Sequence, residues 1–115
     1  MTAFHYSVDD NVLQQMVHAI VEVAQPVKIL LFGSRARGDS RPDSDLDLMV
    51  IMDEGFEKKQ KPLQLLNRLY LATYSFGIPE DILIYDVSKV NRLKDSLNHV
   101  IGKATREGRV LYERS

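Results

Sequence analysis

Two short apolar runs limit what this chain can fold into, because a polar connection of fixed length ties them together. Val27 to Phe32 ends at Gly33-Ser34, and Leu46 to Met52 opens directly after Asp45. Both runs are short, nearly continuous in apolar residues and contain β-branched side chains, so both read as buried strands. Arg35 to Ser44, ten residues, is the polar connection, with Gly38 and Pro42 as its punctuation. Side chains at i and i+2 of a strand share a face. Asp45 and Asp47 therefore project together, while Leu46, Leu48 and Val50 turn into the core.

Each end of the connection carries its own chemistry. Two carboxylates held side by side repel unless a cation lies between them. Magnesium takes a few carboxylates, several waters and substrate phosphate oxygens, so Asp45 and Asp47 are candidate ligands for such an ion. At the other end, Gly33 lets a phosphate come close to the backbone. If Arg35-Ala36-Arg37 opens a short helix, its first amides face an anion. Ser34 adds a hydroxyl, and Arg35 and Arg37 add positive charge that can offset charge developing on a leaving pyrophosphate. Gly-Ser alone is a common turn and Asp-x-Asp alone is a common surface pair. Their fixed separation, each joined to its own strand, is the specific part. A phosphate loop joined to a metal pair points to a nucleoside triphosphate.

The rest of the chain supplies a frame. Val12, Leu13, Met16, Val17, Ile20, Val21 and Ala24 recur at helical spacing, with Ser7 or Asp9 as cap and Pro26 as stop. Asp53-Glu54-Gly55 reads as a turn. Glu57 to Phe76 reads as a helix with Leu63, Leu66, Leu69, Tyr70, Thr73 and Phe76 inward; Pro62 marks a late start or a kink, and Gly77 fits the position after the helix. Asp81 to Tyr85 is a third strand. Ser88 is the expected cap of one last helix carrying Val90, Leu93, Leu97, Val100, Ile101 and Ala104, with Arg92 and His99 exposed on it. Gly108 ends that helix, and Val110-Leu111-Tyr112 adds a short edge strand. The expected fold is α/β (α+β): a small mixed sheet of three to four strands, helices packed on one face and the acidic residues on the other.

Composition narrows the class. The chain has 115 residues, which predicts one domain spanning 1–115. A formal net charge of −1 gives no general attraction to nucleic acid or to anionic membrane. With no cysteine, disulfides, thiolate zinc sites and a cysteine nucleophile are excluded together. No signal-peptide pattern opens the sequence, and no apolar run approaches the ~20 residues of a membrane helix, so a cytoplasmic location is expected.

The stretch Leu31-Phe32-Gly33-Ser34-Arg35-Ala36-Arg37-Gly38, followed by Arg41-Pro42-Asp43-Ser44-Asp45-Leu46-Asp47-Leu48, resembles the signature of the polymerase-β-like nucleotidyltransferase superfamily. It is most similar to the minimal nucleotidyltransferase branch, which pairs with HEPN toxins as an antitoxin; the ending Ile101 to Tyr112 matches as well. The resemblance implies a polymerase-β-like fold, with Gly33, Ser34, Arg35, Arg37 and Ser44 at the nucleotide. It also implies a third carboxylate at the start of a later strand. Asp81 matches that position, with Glu80 and Asp86 as rivals. Asp81 opens the apolar run, Glu80 faces the opposite side, and Asp86 lies at the far end, where a capping role is the plain reading.

With that set, the resemblance implies two Mg²⁺ ions roughly 3.5–4 Å apart, held by Asp45, Asp47 and Asp81. An acceptor hydroxyl attacks the α-phosphorus of ATP and pyrophosphate leaves. The size leaves no room for a second domain to bind the acceptor, so a partner is expected to bring it: a tyrosine of a cognate HEPN toxin, in a homo- or hetero-oligomer. Two alternatives belong to other classes. One is an antitoxin that neutralises by binding without catalysis. The other is nucleotidylation of a small molecule such as an aminoglycoside.

Overall fold

A computed structural model of the protein describes residues 10–38 and 44–115. The expected caps Ser7 and Asp9, and residues 39–43 of the polar connection, Pro42 among them, lie outside the described residues. Helix α1 spans Asp10–Ala24 and buries Leu13, Met16, Ile20 and Ala24, one stripe at helical spacing. Pro26 follows it and is fully buried. Strand β1 (Lys28–Phe32), a one-turn helix α2 (Ser34–Arg37) and strand β2 (Leu46–Met52) come next. Then follow α3 (Pro62–Thr73), β3 (Glu80–Asp86), α4 (Val87–Leu93), α5 (Val100–Glu107) and β4 (Arg109–Glu113).

The four strands form one mixed sheet in the order β3-β2-β1-β4. β1 runs antiparallel to β2 and to β4, while β2 and β3 are parallel. β4 is the short edge strand that Val110-Leu111-Tyr112 predicts. The parallel pair needs a crossover, and α3 supplies it.

Both faces of the sheet are covered, which corrects the expectation that the helices share one face. Ile29, Leu31, Leu48, Val50 and Met52 pack with residues of α1 and α3. Leu30, Phe32, Met49 and Ile51 pack with Ile101 and Ala104 of α5, and Val87, Val90 and Leu93 of α4 lie against the same cluster. The physical reason is visible in β2, where every residue but Asp47 is buried. A strand apolar at successive positions needs cover on both sides.

Two helices end elsewhere than the sequence pattern predicts. Proline lacks an N–H and has a fixed φ suited to the first helical position, so α3 starts at Pro62 and the stretch before it holds only a 3₁₀ turn, Phe56–Lys58. Leu65, Leu69 and Thr73 are the fully buried residues of α3 and set its helical phase, and Leu63 stands two thirds exposed.

The expected last helix is two. Asp86, not Ser88, caps α4 by accepting from the Lys89 N–H at 2.8 Å. Between α4 and α5, Ser96 Oγ accepts from the amides of Asn98 and His99, and His99 Nδ1 accepts from the Ile101 N–H at 3.0 Å. Side chains that bond nearby amides offer the backbone an alternative to the helix. Leu97 lies on this link and is exposed, and His99 is a cap rather than a mid-helix residue.

Gly102 packs α5 against that link. A Cβ there would overlap the Ser96 carbonyl oxygen, which belongs to backbone and cannot swing aside. Gly102→Ala is therefore expected to destabilise the fold by about 1–3 kcal/mol, as overpacking generally does. Thermal or urea unfolding reads this directly; an unchanged midpoint would mean that the link gives way freely. No described helix is long and apolar enough to cross a membrane.

Candidate active site

The strand pairing puts Asp47 between the two other predicted elements. Asp47 pairs with Phe32, the last residue of β1, on one side and with Asp81 of β3 on the other. By strand alternation Asp47 shares a face with Met49 and Ile51, and Asp81 with Leu83 and Tyr85. This is the α4–α5 face. Asp45 precedes β2 by one residue and shares its parity with Asp47. Asp45 and Asp81 are exposed and Asp47 is half-buried.

The turn after β1 is built around Asp47. Gly33 adopts φ 75° and ψ −158°, a conformation open in practice only to glycine. A Cβ at Gly33 would overlap Asp47 Oδ2. Glycine is thus required twice, for the backbone conformation and for the approach of the carboxylate. Helix α2 begins at Ser34. Its first bonds run from the amides of Ala36 and Arg37 to the Gly33 carbonyl, each 3.1 Å, and from Gly38 to the Ser34 carbonyl at 3.0 Å. The amide of Ser34 precedes these bonds and is not used by them.

The two arginines are engaged with protein groups. Arg35 donates from Nε and Nη2 to the Ser44 carbonyl at 3.0 and 2.6 Å, tying the first residues of the polar connection to its last. Arg37 pairs with Glu107 of α5 at 3.0 Å. Ser44 thus meets the loop through its backbone.

Charge is concentrated here. Burial pushes the Asp47 carboxyl above its ordinary value of 3.8, the charges of Asp81 and Asp45 push it further, and Arg37 and Lys103 oppose them. Among the described residues no three His, Cys, Asp or Glu side chains already surround one point. The carboxylates share a face rather than forming a closed cage. That donor set fits a hard divalent cation such as magnesium, which keeps waters and completes its shell with substrate phosphate.

The rival carboxylates are occupied elsewhere. Asp86 caps α4. Glu80 lies on the opposite parity and meets Thr73 Oγ1 at 2.5 Å, while Glu80 Oε1 is buried without a partner among the described residues. Burial pushes the Glu80 carboxyl above its ordinary value of 4.5, against the pull of the Thr73 hydroxyl. That hydroxyl has one proton and also approaches the Leu69 and Tyr70 carbonyls. Thr73 Oγ1 donates to Glu80 Oε2, with the Leu69 carbonyl a second acceptor for the same proton.

Between 4.5 and its raised folded value, Glu80 holds more proton in the native than in the unfolded chain. Its contribution to stability is therefore lost as pH rises through that window. Glu80→Gln is expected to raise the melting temperature above that window and to leave it unchanged below the window. Melting curves across pH check this; a gain that persists under acid would contradict it.

Lys103 and Glu107 of α5 escape the sequence reading. Arg37 and Glu107 are 70 positions apart, and neither neighbourhood carries a local signal for the other.

Comparison with known proteins agrees with this geometry. A family model described as Polymerase beta, Nucleotidyltransferase matches residues 14–115. Two proteins of Methanocaldococcus jannaschii, provisionally named protein adenylyltransferases MJ0604 and MJ0141, are similar in sequence. The first is 32% identical over 85 residues, covering 74% of this chain and 77% of the relative. The second is 31% identical over 71 residues, covering 60% and 65%. Among solved structures, a Sulfolobus solfataricus protein provisionally described as a nucleotidyltransferase superposes with a TM-score of 0.55 at 19% identity, over 90% of this chain and 79% of that one. A chain of a toxin–antitoxin structure with AMP-PNP superposes with a TM-score of 0.56 at 17% identity, over 89% and 74%.

Proposed function

The chain belongs to the polymerase-β nucleotidyltransferase family, and on that premise we propose that it transfers AMP from ATP to a hydroxyl of a partner protein in the cytoplasm. The partner we infer is a cognate HEPN-type toxin, the acceptor one of its tyrosines, and the role of the chain that of an antitoxin. One observation carries the catalytic part. The glycine of the phosphate turn and the carboxylate pair of β2 and β3 meet at Asp47, with Gly33 against its Oδ2 and Asp81 in register beside it. The protein acceptor is supported by the names of the two M. jannaschii relatives and the antitoxin role by the toxin–antitoxin neighbour.

The residues divide the work. The Ser34 amide and hydroxyl donate to the phosphates, and Gly33 lets them approach. Arg35 holds the loop closed through the Ser44 carbonyl. Arg37, held by Glu107, lends positive charge to the leaving pyrophosphate. Asp81, exposed at the start of β3, receives the acceptor hydroxyl. The acceptor oxygen bonds to the α-phosphorus and gives its proton to the Asp81 carboxylate, as the bond from that phosphorus to the bridging oxygen breaks and pyrophosphate leaves. Two magnesium ions, when held by Asp45, Asp47 and Asp81, would neutralise the triphosphate and activate the acceptor hydroxyl.

Two labels separate the outcomes. ATP labelled at the α-phosphate is expected to label the partner, and ATP labelled at the γ-phosphate is not. Transfer from the γ-position would contradict nucleotidyl transfer. Label appearing on an aminoglycoside and never on protein would move the acceptor to the small-molecule class.

A further inference from the structure

We propose that Lys103 of α5 binds the β- and γ-phosphates of the nucleotide and stabilises the departing pyrophosphate. The proposal rests on the nucleotidyl-transfer reading above and adds a residue to it.

Three observations fix the position. First, α5 is anchored on the site's own face of the sheet, since Ile101 and Ala104 are fully buried in the cluster containing Phe32 and Met49. Second, residues four apart share a helix face, so Lys103 and Glu107 project together. Glu107 reaches Arg37 at the end of α2, so this face of α5 looks onto the phosphate turn. Third, Asp47, the carboxylate against which Gly33 packs, lies by strand alternation with Met49 and Ile51 on the face that α5 covers. Lys103 is itself exposed, and among the described residues its ammonium makes no ion pair.

The sheet order says which part of the nucleotide Lys103 meets. Displacement at phosphorus is in line, so acceptor and leaving group lie on opposite sides of the α-phosphorus. In the order β3-β2-β1-β4, Asp81 flanks Asp47 on the β3 side and the turn after β1 flanks it on the other. With the acceptor on the Asp81 side, the pyrophosphate lies toward β1, α2 and α5. Lys103 stands there with Arg37. A lysine suits the task as a compact point charge on a flexible stem, able to follow an anion that moves away.

Calorimetric titration of the free protein with AMP-PNP and with AMP, in the absence of any acceptor, tests this without turnover. Lys103→Met is expected to weaken AMP-PNP binding about 10-fold, the size of one lost charge-assisted contact, and to change AMP binding less than about 2-fold. Lys103→Arg is expected to recover most of the loss, and the melting temperature of the free protein is expected to stay unchanged. Equal AMP-PNP affinity in wild type and Lys103→Met would overturn the role of Lys103 alone. An equal loss for AMP would also overturn it, by moving the contact off the tail. Absence of AMP-PNP binding in the wild type would overturn the nucleotide reading itself, and this inference with it.

Discussion

Asp47→Asn is expected to abolish transfer, lowering the rate by at least roughly 10³-fold, while leaving a folded protein that still binds its partner. Asp47 is the residue at which the proposed metal ligands, the turn at Gly33 and Asp81 meet, so no neighbour can replace it. Asparagine keeps the shape beside Gly33 and removes the charge. The same substitution is expected to stabilise the nucleotide-free fold. Burial and the charges of Asp81 and Asp45 hold the Asp47 proton to a higher pH in the native chain than in the unfolded one. The native state therefore binds more protons in the window above the ordinary value of 3.8, and stability falls as pH rises through it. Above the window the wild type carries that cost and the Asp47→Asn variant does not; below it the two coincide. A variant that is inactive yet melts higher at neutral pH is the signature of a site held together against its own repulsion. A lower melting point at neutral pH would mean that the charge is structural instead.

Gly33→Ala carries the second large effect. Alanine meets two penalties at once. The φ of 75° with ψ −158° costs a non-glycine residue about 1–3 kcal/mol. The added Cβ also overlaps Asp47 Oδ2, and Asp47 must move to admit it. Displacing a reacting group by about 1 Å costs on the order of 10²-fold in rate, so activity is expected to fall by 10²-fold or more together with stability. Gly38 is the control. It also has positive φ, 85°, but among the described residues nothing lies within 4 Å of its Cβ position. Gly38→Ala is expected to lose stability and keep most of its activity. Equal activity losses in the two variants, measured as kcat/KM for ATP, would show that loop strain rather than the approach to Asp47 governs the site.

What the sequence revealed, and what it hid, follows from the range of each interaction. Gly33-Ser34 and Asp45-Leu46-Asp47 were readable because strand alternation and glycine geometry are local. The family resemblance called for a third carboxylate at the start of a later strand, with Asp81 favoured over Glu80 and Asp86 by parity and strand position; in the fold Asp81 stands in register with Asp47. Apolar runs without alternation in β1 and β2 already carried the signal that both faces are covered; reading them as flanked on one side lost it. Leu63 and Leu97 were misplaced because periodicity alone cannot choose between neighbouring leucines or see a helix broken by Ser96 and His99. Lys103 and Glu107 were invisible, since their place at the site depends on how α5 docks on the sheet.

The central claim is that this face transfers AMP to a protein. The intact mass of the partner, co-expressed with the wild-type chain and separately with Asp47→Asn, tests it most directly. The account predicts a partner heavier by AMP, singly or in multiples, with the wild type and unmodified with the Asp47→Asn variant, although both complexes form. A partner of unchanged mass that is nevertheless neutralised by the wild type and by the variant alike would contradict it, and would make the chain an antitoxin that acts by binding alone.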